Sequence, residues 1–245
     1  MQIVAWCAVV ATALALLRLL QVLPRRAWAG APREKEHGRV GAGGGGGSPS
    51  SSPSSSPSST SSRVGTLMVV LGSGGHTAEM LALLAGLDFS RYRSVHFVAA
   101  ETDDHSVGKA RRWVEAASAA FPGGVKVAFH RVTRAREVGQ GWLSSAACTL
   151  VALGECLRLV WRAAPDVVLV NGPGTCLPVV YAAFLGKFAG VMPGARVVFV
   201  ESFARVTSLS LTGKLVFPVA DRFVLQWKQQ HELMPWGTEY LGPIF

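Results

Sequence analysis

Cysteine and charge are both scarce in this chain. Its four cysteines, Cys7, Cys148, Cys156 and Cys176, include no C-x-x-C pair. That excludes a disulfide framework and suits a reduced, cytosol-facing domain. Charged residues make up 16% of the chain against 49% hydrophobic, which is apolar for a soluble protein. Acid is the scarcer sign, with 15 Asp/Glu against 24 Lys/Arg and a net charge of +9. No zinc-finger spacing, RNA-recognition signature or long basic helix accompanies that excess, which argues against a nucleic-acid partner. Residues 1–63 hold seven Lys/Arg and two Asp/Glu, so more than half of the net charge lies ahead of the apolar remainder.

The N-terminus also lacks basic residues where a secretory signal would carry them. Ile3 to Leu17 is apolar apart from Thr12, and the run continues past Arg18 to Leu23. Roughly 20 such residues suffice to cross a bilayer core as a helix. Arg18 lies near one end, where its stem can snorkel to the interface. Arg25, Arg26, Arg33, Lys35 and Arg39 follow the run and no Lys or Arg precedes it, which places the C-terminal side in the cytosol. Ala27-Trp28-Ala29 resembles a cleavage site, but the missing basic leader and the intervening arginines argue for an uncleaved anchor. Residues 1–23 are therefore expected to be a single transmembrane anchor. Residues 24–63, basic and then rich in Gly, Ser and Pro, are expected to be a disordered tether. The folded domain is expected over 64–245.

In that domain strands and helices alternate. Apolar strand patterns at Leu67–Leu71, Ser94–Ala100, Gly124–Val132, Asp166–Val170, Arg196–Val200 and Arg222–Gln226 are separated by helical patterns at 105–120, 142–163 and 176–189. This pattern predicts an α/β class, a Rossmann-like, mostly parallel sheet with helices on both faces. Leu177 to Met192 is apolar enough to suggest a second membrane segment. Its short length and Lys187 favour a helix buried in the domain.

The unusual residues gather where these strands end, which is where such sheets bind ligands. After the first strand come Gly72, Ser73, Gly74, Gly75 and His76. A strand, a glycine turn and a helix N-terminus form a ready anion site, since the first N–H groups of a helix have no internal partner. Thr77 is the expected helix cap, with Met80, Leu81, Leu83 and Leu84 on the buried side. Asn171, Gly172, Pro173, Gly174 and Thr175 form a second such turn. Together the two turns could hold the two phosphates of one diphosphate. Arg131, Arg134, Arg136 and Arg205 could supply fixed positive charge. Glu201, directly after the fifth strand, could serve as a general base, bind a sugar hydroxyl or cap backbone N–H groups. His76 could act as a base or contact phosphate. Asp103, Asp104 and His105 look like a metal cluster only superficially, and Asp104 is the expected cap of the next helix. No metal or cofactor is expected. The dinucleotide pattern G-x-G-x-x-G lacks its last glycine here, which disfavours a nucleotide-dependent oxidoreductase.

Three ordered motifs, G-S-G-G-H-T-A-E-M-L, N-G-P-G-T-C and V-E-S-F-A-R-V-T-S-L-S-L-T-G-K, resemble those of one family. It is the asparagine-linked glycosylation protein fourteen family, the membrane-anchored subunits of the UDP-N-acetylglucosamine transferase of the dolichyl-diphosphate pathway. The resemblance covers roughly residues 64 to 245; the long Gly/Ser tether is unlike the short linker expected there. It implies the N-terminal, acceptor-binding half of a GT-B glycosyltransferase. It also implies that a soluble subunit, asparagine-linked glycosylation protein thirteen, carries the UDP-N-acetylglucosamine-binding half. On that resemblance the domain lies on the cytosolic face of the endoplasmic reticulum. The acceptor diphosphate of N-acetylglucosaminyl-diphosphodolichol is then expected at Gly72–Gly75 and Thr77, Asn171, Gly172, Gly174, Thr175 and Arg205. His76 and Glu201 are the candidates for the base. The apolar tail Tyr240, Leu241, Gly242, Pro243, Ile244 and Phe245 either docks on the partner or packs on its own domain. A purely structural anchor is the alternative outside enzymology.

Overall fold

The computed structural model describes residues 2–24, 65–121, 124–134 and 142–243, with side chains from Thr12 in the first helix and from Ala147 in the fourth. Seven parallel strands form one sheet: β1 (Thr66–Val70), β2 (Ser94–Ala100), β3 (Lys126–Val132), β4 (Val167–Val170), β5 (Arg196–Val200), β6 (Arg222–Leu225) and β7 (Glu239–Tyr240). Their spatial order is β3-β2-β1-β4-β5-β6-β7. Strand order reverses between β1 and β4, and in doubly wound sheets the ligand crevice opens at that switch point. The Rossmann-like class expected from the alternating pattern is the one found.

Alternation along each strand builds two cores. Leu67 and Val69 of β1 and Leu71 just beyond it, with Val95, Phe97 and Ala99 of β2, pack against α2 (Gly75–Ala85) and α3 (Asp104–Ala116). Met68 and Val70 point to the opposite face and join Cys156 and Val160 of α4 (Trp142–Ala163) and Val179 and Val180 of α5 (Cys176–Phe188). The chain changes face through α4, which crosses from the β3 edge to β4 in the middle of the sheet. Two short helices complete the domain, α6 (Leu211–Val216) and α7 (Lys228–Leu233).

α1 (Gln2–Val22) packs on α5. Over the described residues no helix is long and apolar enough to cross a membrane. The run expected to span one begins at Ile3, and its first half lies outside the described side chains. Arg18 reaches across to the domain. Its Nε and Nη2 donate to the carbonyls of Phe188 (3.0 Å) and Lys187 (2.9 Å), capping the C-terminus of α5, where a cation is favoured. α5 is a helix of 13 residues buried in the domain, and Lys187 Nζ lies 2.7 Å from Asp221 Oδ1. The tether expected over 24–63 falls almost wholly outside the described residues.

Two caps differ from expectation by a few positions. Gly74, not Thr77, is the N-cap of α2. Thr77 sits buried in the first turn, and its hydroxyl donates to the Gly72 carbonyl. Asp103, not Asp104, caps α3 by accepting from Ser106 N at 3.1 Å. Asp104 pairs instead with Arg131 on the surface. A cap is selected by the backbone angles at the turn, which residue type alone does not fix.

Candidate functional site

The two glycine turns meet across the switch point, one after β1 and one after β4. Their approach is close enough to require glycine. A Cβ on Gly72 would lie 2.5 Å from the Pro173 ring, and one on Gly172, whose φ is +97°, would lie 3.2 Å from His76 Cε1. Between the turns opens a cavity of about 270 Å³, lined by Ser73, His76, Arg134, Gly172, Gly174 and Thr175 among others. Asp103 also borders it, with its carboxylate engaged as the α3 cap.

Polar chemistry converges on this cavity. The first turn of α2 offers N–H groups with no internal partner, and Arg134 adds a cation, so the pocket is fitted for an anion. The His76 side chain is 32% exposed. Its Nδ1 is buried with no hydrogen-bond partner, as is Asn171 Oδ1. Asn171 Nδ2 donates to the His76 carbonyl at 2.8 Å and approaches Glu79 Oε2 at 3.5 Å. Two acceptors on that side fix the amide orientation.

The site residues expected from sequence separate into three groups. Ser73, His76, Gly172, Gly174 and Thr175 line the cavity. Gly72, Thr77 and Asn171 shape its walls from behind, while Gly74 and Gly75 form the exposed start of α2. Glu201, Arg205 and the tail stand apart from it. Glu201 is 0% exposed. Its Oε1 accepts from Ser202 N at 3.1 Å, and its Oε2 accepts from Ser210 N at 3.0 Å and Ser210 Oγ at 3.2 Å. Burial pushes its carboxyl above the ordinary range despite those bonds and the nearby Arg205. Of the roles open to it in sequence, Glu201 fills backbone capping, closing the loop between β5 and α6. Arg205 is exposed on that loop. Tyr240 pairs within the sheet as part of β7, and Leu241 beyond it is exposed. Ile244 and Phe245 lie outside the described residues, as does Arg136.

Glu79 was not singled out in the sequence. It stands one turn after His76, and its Oε1 accepts from Ser202 Oγ at 2.9 Å. The i, i+3 spacing placing it on the face of His76 was the available signal. Two of the cysteines are poor nucleophiles: burial pushes the Cys156 thiol up to about 12 and the Cys176 thiol higher still, so both stay protonated.

Residues 67–244 match the family described as "Alg14: Oligosaccharide biosynthesis protein Alg14 like". The chain is 41% identical over 180 residues to the UDP-N-acetylglucosamine transferase subunit ALG14 of Rattus norvegicus, an alignment covering 73% of this chain and 82% of that protein. It is 44% identical over 164 residues to the subunit of the same name in Schizosaccharomyces pombe, covering 66% of this chain and 75% of that one. Among solved structures, Acinetobacter baumannii MurG aligns with a TM-score of 0.48 and 18% identity, over 68% of this chain and 42% of that one.

Proposed function

The chain belongs to the Alg14-like family of oligosaccharide biosynthesis proteins, and on that premise we propose that it is the membrane-anchoring, acceptor-binding subunit of an inverting N-acetylglucosaminyltransferase. The acceptor is a lipid-linked diphospho-N-acetylglucosamine, N-acetylglucosaminyl-diphosphodolichol, on the cytosolic face of the endoplasmic reticulum. A soluble partner, asparagine-linked glycosylation protein thirteen, brings the donor UDP-N-acetylglucosamine. The observation that carries this reading is the cavity between two glycine turns, with the start of α2, Arg134 and the partly exposed His76 around it.

The diphosphate lies against the start of α2 and beside Arg134, where free N–H groups and a guanidinium replace its water. That places the acceptor sugar over His76. The O4 hydroxyl attacks C1 of the donor sugar from the face opposite the leaving group. The C1–O bond to the β-phosphate breaks, its electron pair leaves with UDP, and the O4 proton passes to His76 Nε2. Holding the reactants in line supplies much of the acceleration. Glu201 has no exposed surface from which to take that proton. The exposed Tyr240 and Leu241 give the partner an apolar edge to dock on, and the sequence that follows, Gly242 to Phe245, is apolar as well.

Reconstitution tests the division of labour. Transfer to a synthetic N-acetylglucosaminyl-diphospho-lipid is measured in membranes with this chain alone, the partner alone, and both together. Transfer is expected only with both. Transfer by this chain alone would place the donor site here and end the half-enzyme reading.

A further inference from the structure

The proton-accepting role of His76 leaves its other ring nitrogen unaccounted for. A neutral imidazole carries its hydrogen on one nitrogen and a lone pair on the other. To accept a proton at Nε2, the ring must hold its hydrogen on Nδ1, the less favoured tautomer of a free histidine side chain. Nδ1 is the buried nitrogen and it has no hydrogen-bond partner. Nε2 is not among the buried unpartnered atoms and makes no hydrogen bond among the described residues, so the exposed part of the ring includes it.

Glu79 Oε2 lies 3.8 Å from Nδ1. A movement of about 1 Å closes that gap to hydrogen-bond length, and such bonds commonly tighten when substrate binds. The carboxylate is well placed to receive it. Its side chain is only 12% exposed, and it is held from two other loops, by Ser202 Oγ at 2.9 Å and Asn171 Nδ2 at 3.5 Å. Asn171 in turn holds the His76 backbone. Three strand-end segments thus fix one carboxylate beside one imidazole.

We infer that Glu79 is a positioning residue, holding His76 in the Nδ1–H tautomer so that Nε2 presents its lone pair to the sugar hydroxyl. When the O4 proton arrives at Nε2, the resulting imidazolium faces the Glu79 carboxylate through Nδ1–H, which stabilises the charge as it forms. The inference rests on the proposed acceptor site, but the tautomer is observable without transfer.

Long-range proton–nitrogen correlation spectra of the full chain in lipid nanodiscs report which nitrogen of His76 carries hydrogen. The wild type is expected to show the Nδ1–H form. Glu79→Ala is expected to shift His76 to the Nε2–H form. In the complex with its partner, that variant should lower kcat by about 10²-fold with KM for UDP-N-acetylglucosamine unchanged. Glu79→Gln, which keeps an acceptor but no charge, should retain the tautomer and recover part of the rate. If Glu79→Ala lowers kcat while the tautomer stays put, Glu79 only braces the loops and the inference is wrong. A wild-type ring already in the Nε2–H form overturns it as well. A His76→Ala complex with full transfer would instead remove the base assignment, with the tautomer result still deciding the role of Glu79.

Discussion

The two ends of the sheet use the same kinds of residue in opposite ways. At the amino ends of the strands, polar groups are matched to the fold. Asp166 accepts from Thr66 N at 2.7 Å, Asp221 accepts from Val197 N and from Lys187, and Arg18 covers the carbonyls that end α5. At the carboxyl ends, His76 Nδ1 and Asn171 Oδ1 are buried without partners and glycine turns hold a cavity open. A buried polar atom without a partner carries a penalty of about 1–3 kcal/mol, so these groups weaken the fold where they stand. The amino end is where this domain gains stability, and the carboxyl end is where it gives some up for a ligand. Glu201 is the instructive exception. It sits at the carboxyl end, yet it is saturated like an amino-end group, and it serves the fold.

That contrast can be broken most sharply at His76. His76→Ala should lower transfer by about 10² to 10⁴-fold in the assembled enzyme without lowering the melting temperature, since the ring makes no hydrogen bond among the described residues and its removal takes away a buried unpartnered nitrogen. A matching drop in melting temperature would mean that the ring is structural.

The opposite response is expected at the amino end. Lys187→Met removes the cation from a largely buried pair with Asp221 and should destabilise the domain by about 3 kcal/mol, measured by denaturant unfolding. Transfer per folded molecule should be unchanged, and a selective loss of transfer would join the two ends functionally.

Glu201 should follow the amino-end pattern with a smaller effect. Glu201→Ala strands the Ser202 and Ser210 donors and should destabilise by about 1–3 kcal/mol. Because burial raises its carboxyl above the ordinary value of 4.5, the folded state binds the proton more tightly than the unfolded chain. The resulting stability is fully present below that ordinary value and is lost as the pH rises through the raised one. Unfolding free energy measured across that window should fall with pH in the wild type. Glu201→Gln should flatten the slope, and an unflattened slope would assign it to another group.

Much of this contrast was legible before the structure. Strand periodicity located β1 to β6, and the glycines marked both turns, because apolar alternation and tight turns are written in neighbouring residues. β7 escaped because two residues carry no period, and its place is set by backbone pairing with β6. Glu79 escaped for a related reason. Its partners Asn171 and Ser202 lie 92 and 123 residues further along, and only the closed sheet brings them together. Glu201 was located correctly, but whether a strand-end carboxylate faces a ligand or its own loop depends on burial, which its neighbours in sequence do not state. Arg18 was read from the apolar run around it, and the C-terminus of α5 that it caps lies about 170 residues away.

The central claim, that the cavity between the glycine turns holds the acceptor diphosphate, is tested most directly by binding. Gly174 is the position to use, because a Cβ there meets nothing within 4 Å, whereas Gly74 has a φ of +65° that strains any side chain. Calorimetry would compare the full chain and Gly174→Asp in nanodiscs with a water-soluble N-acetylglucosaminyl-diphospho-lipid. Saturable binding by the wild type, and at least about tenfold weaker binding when a carboxylate is placed against the phosphates at an unchanged melting temperature, is the expected result. Equal affinity for the two proteins would put the diphosphate somewhere else.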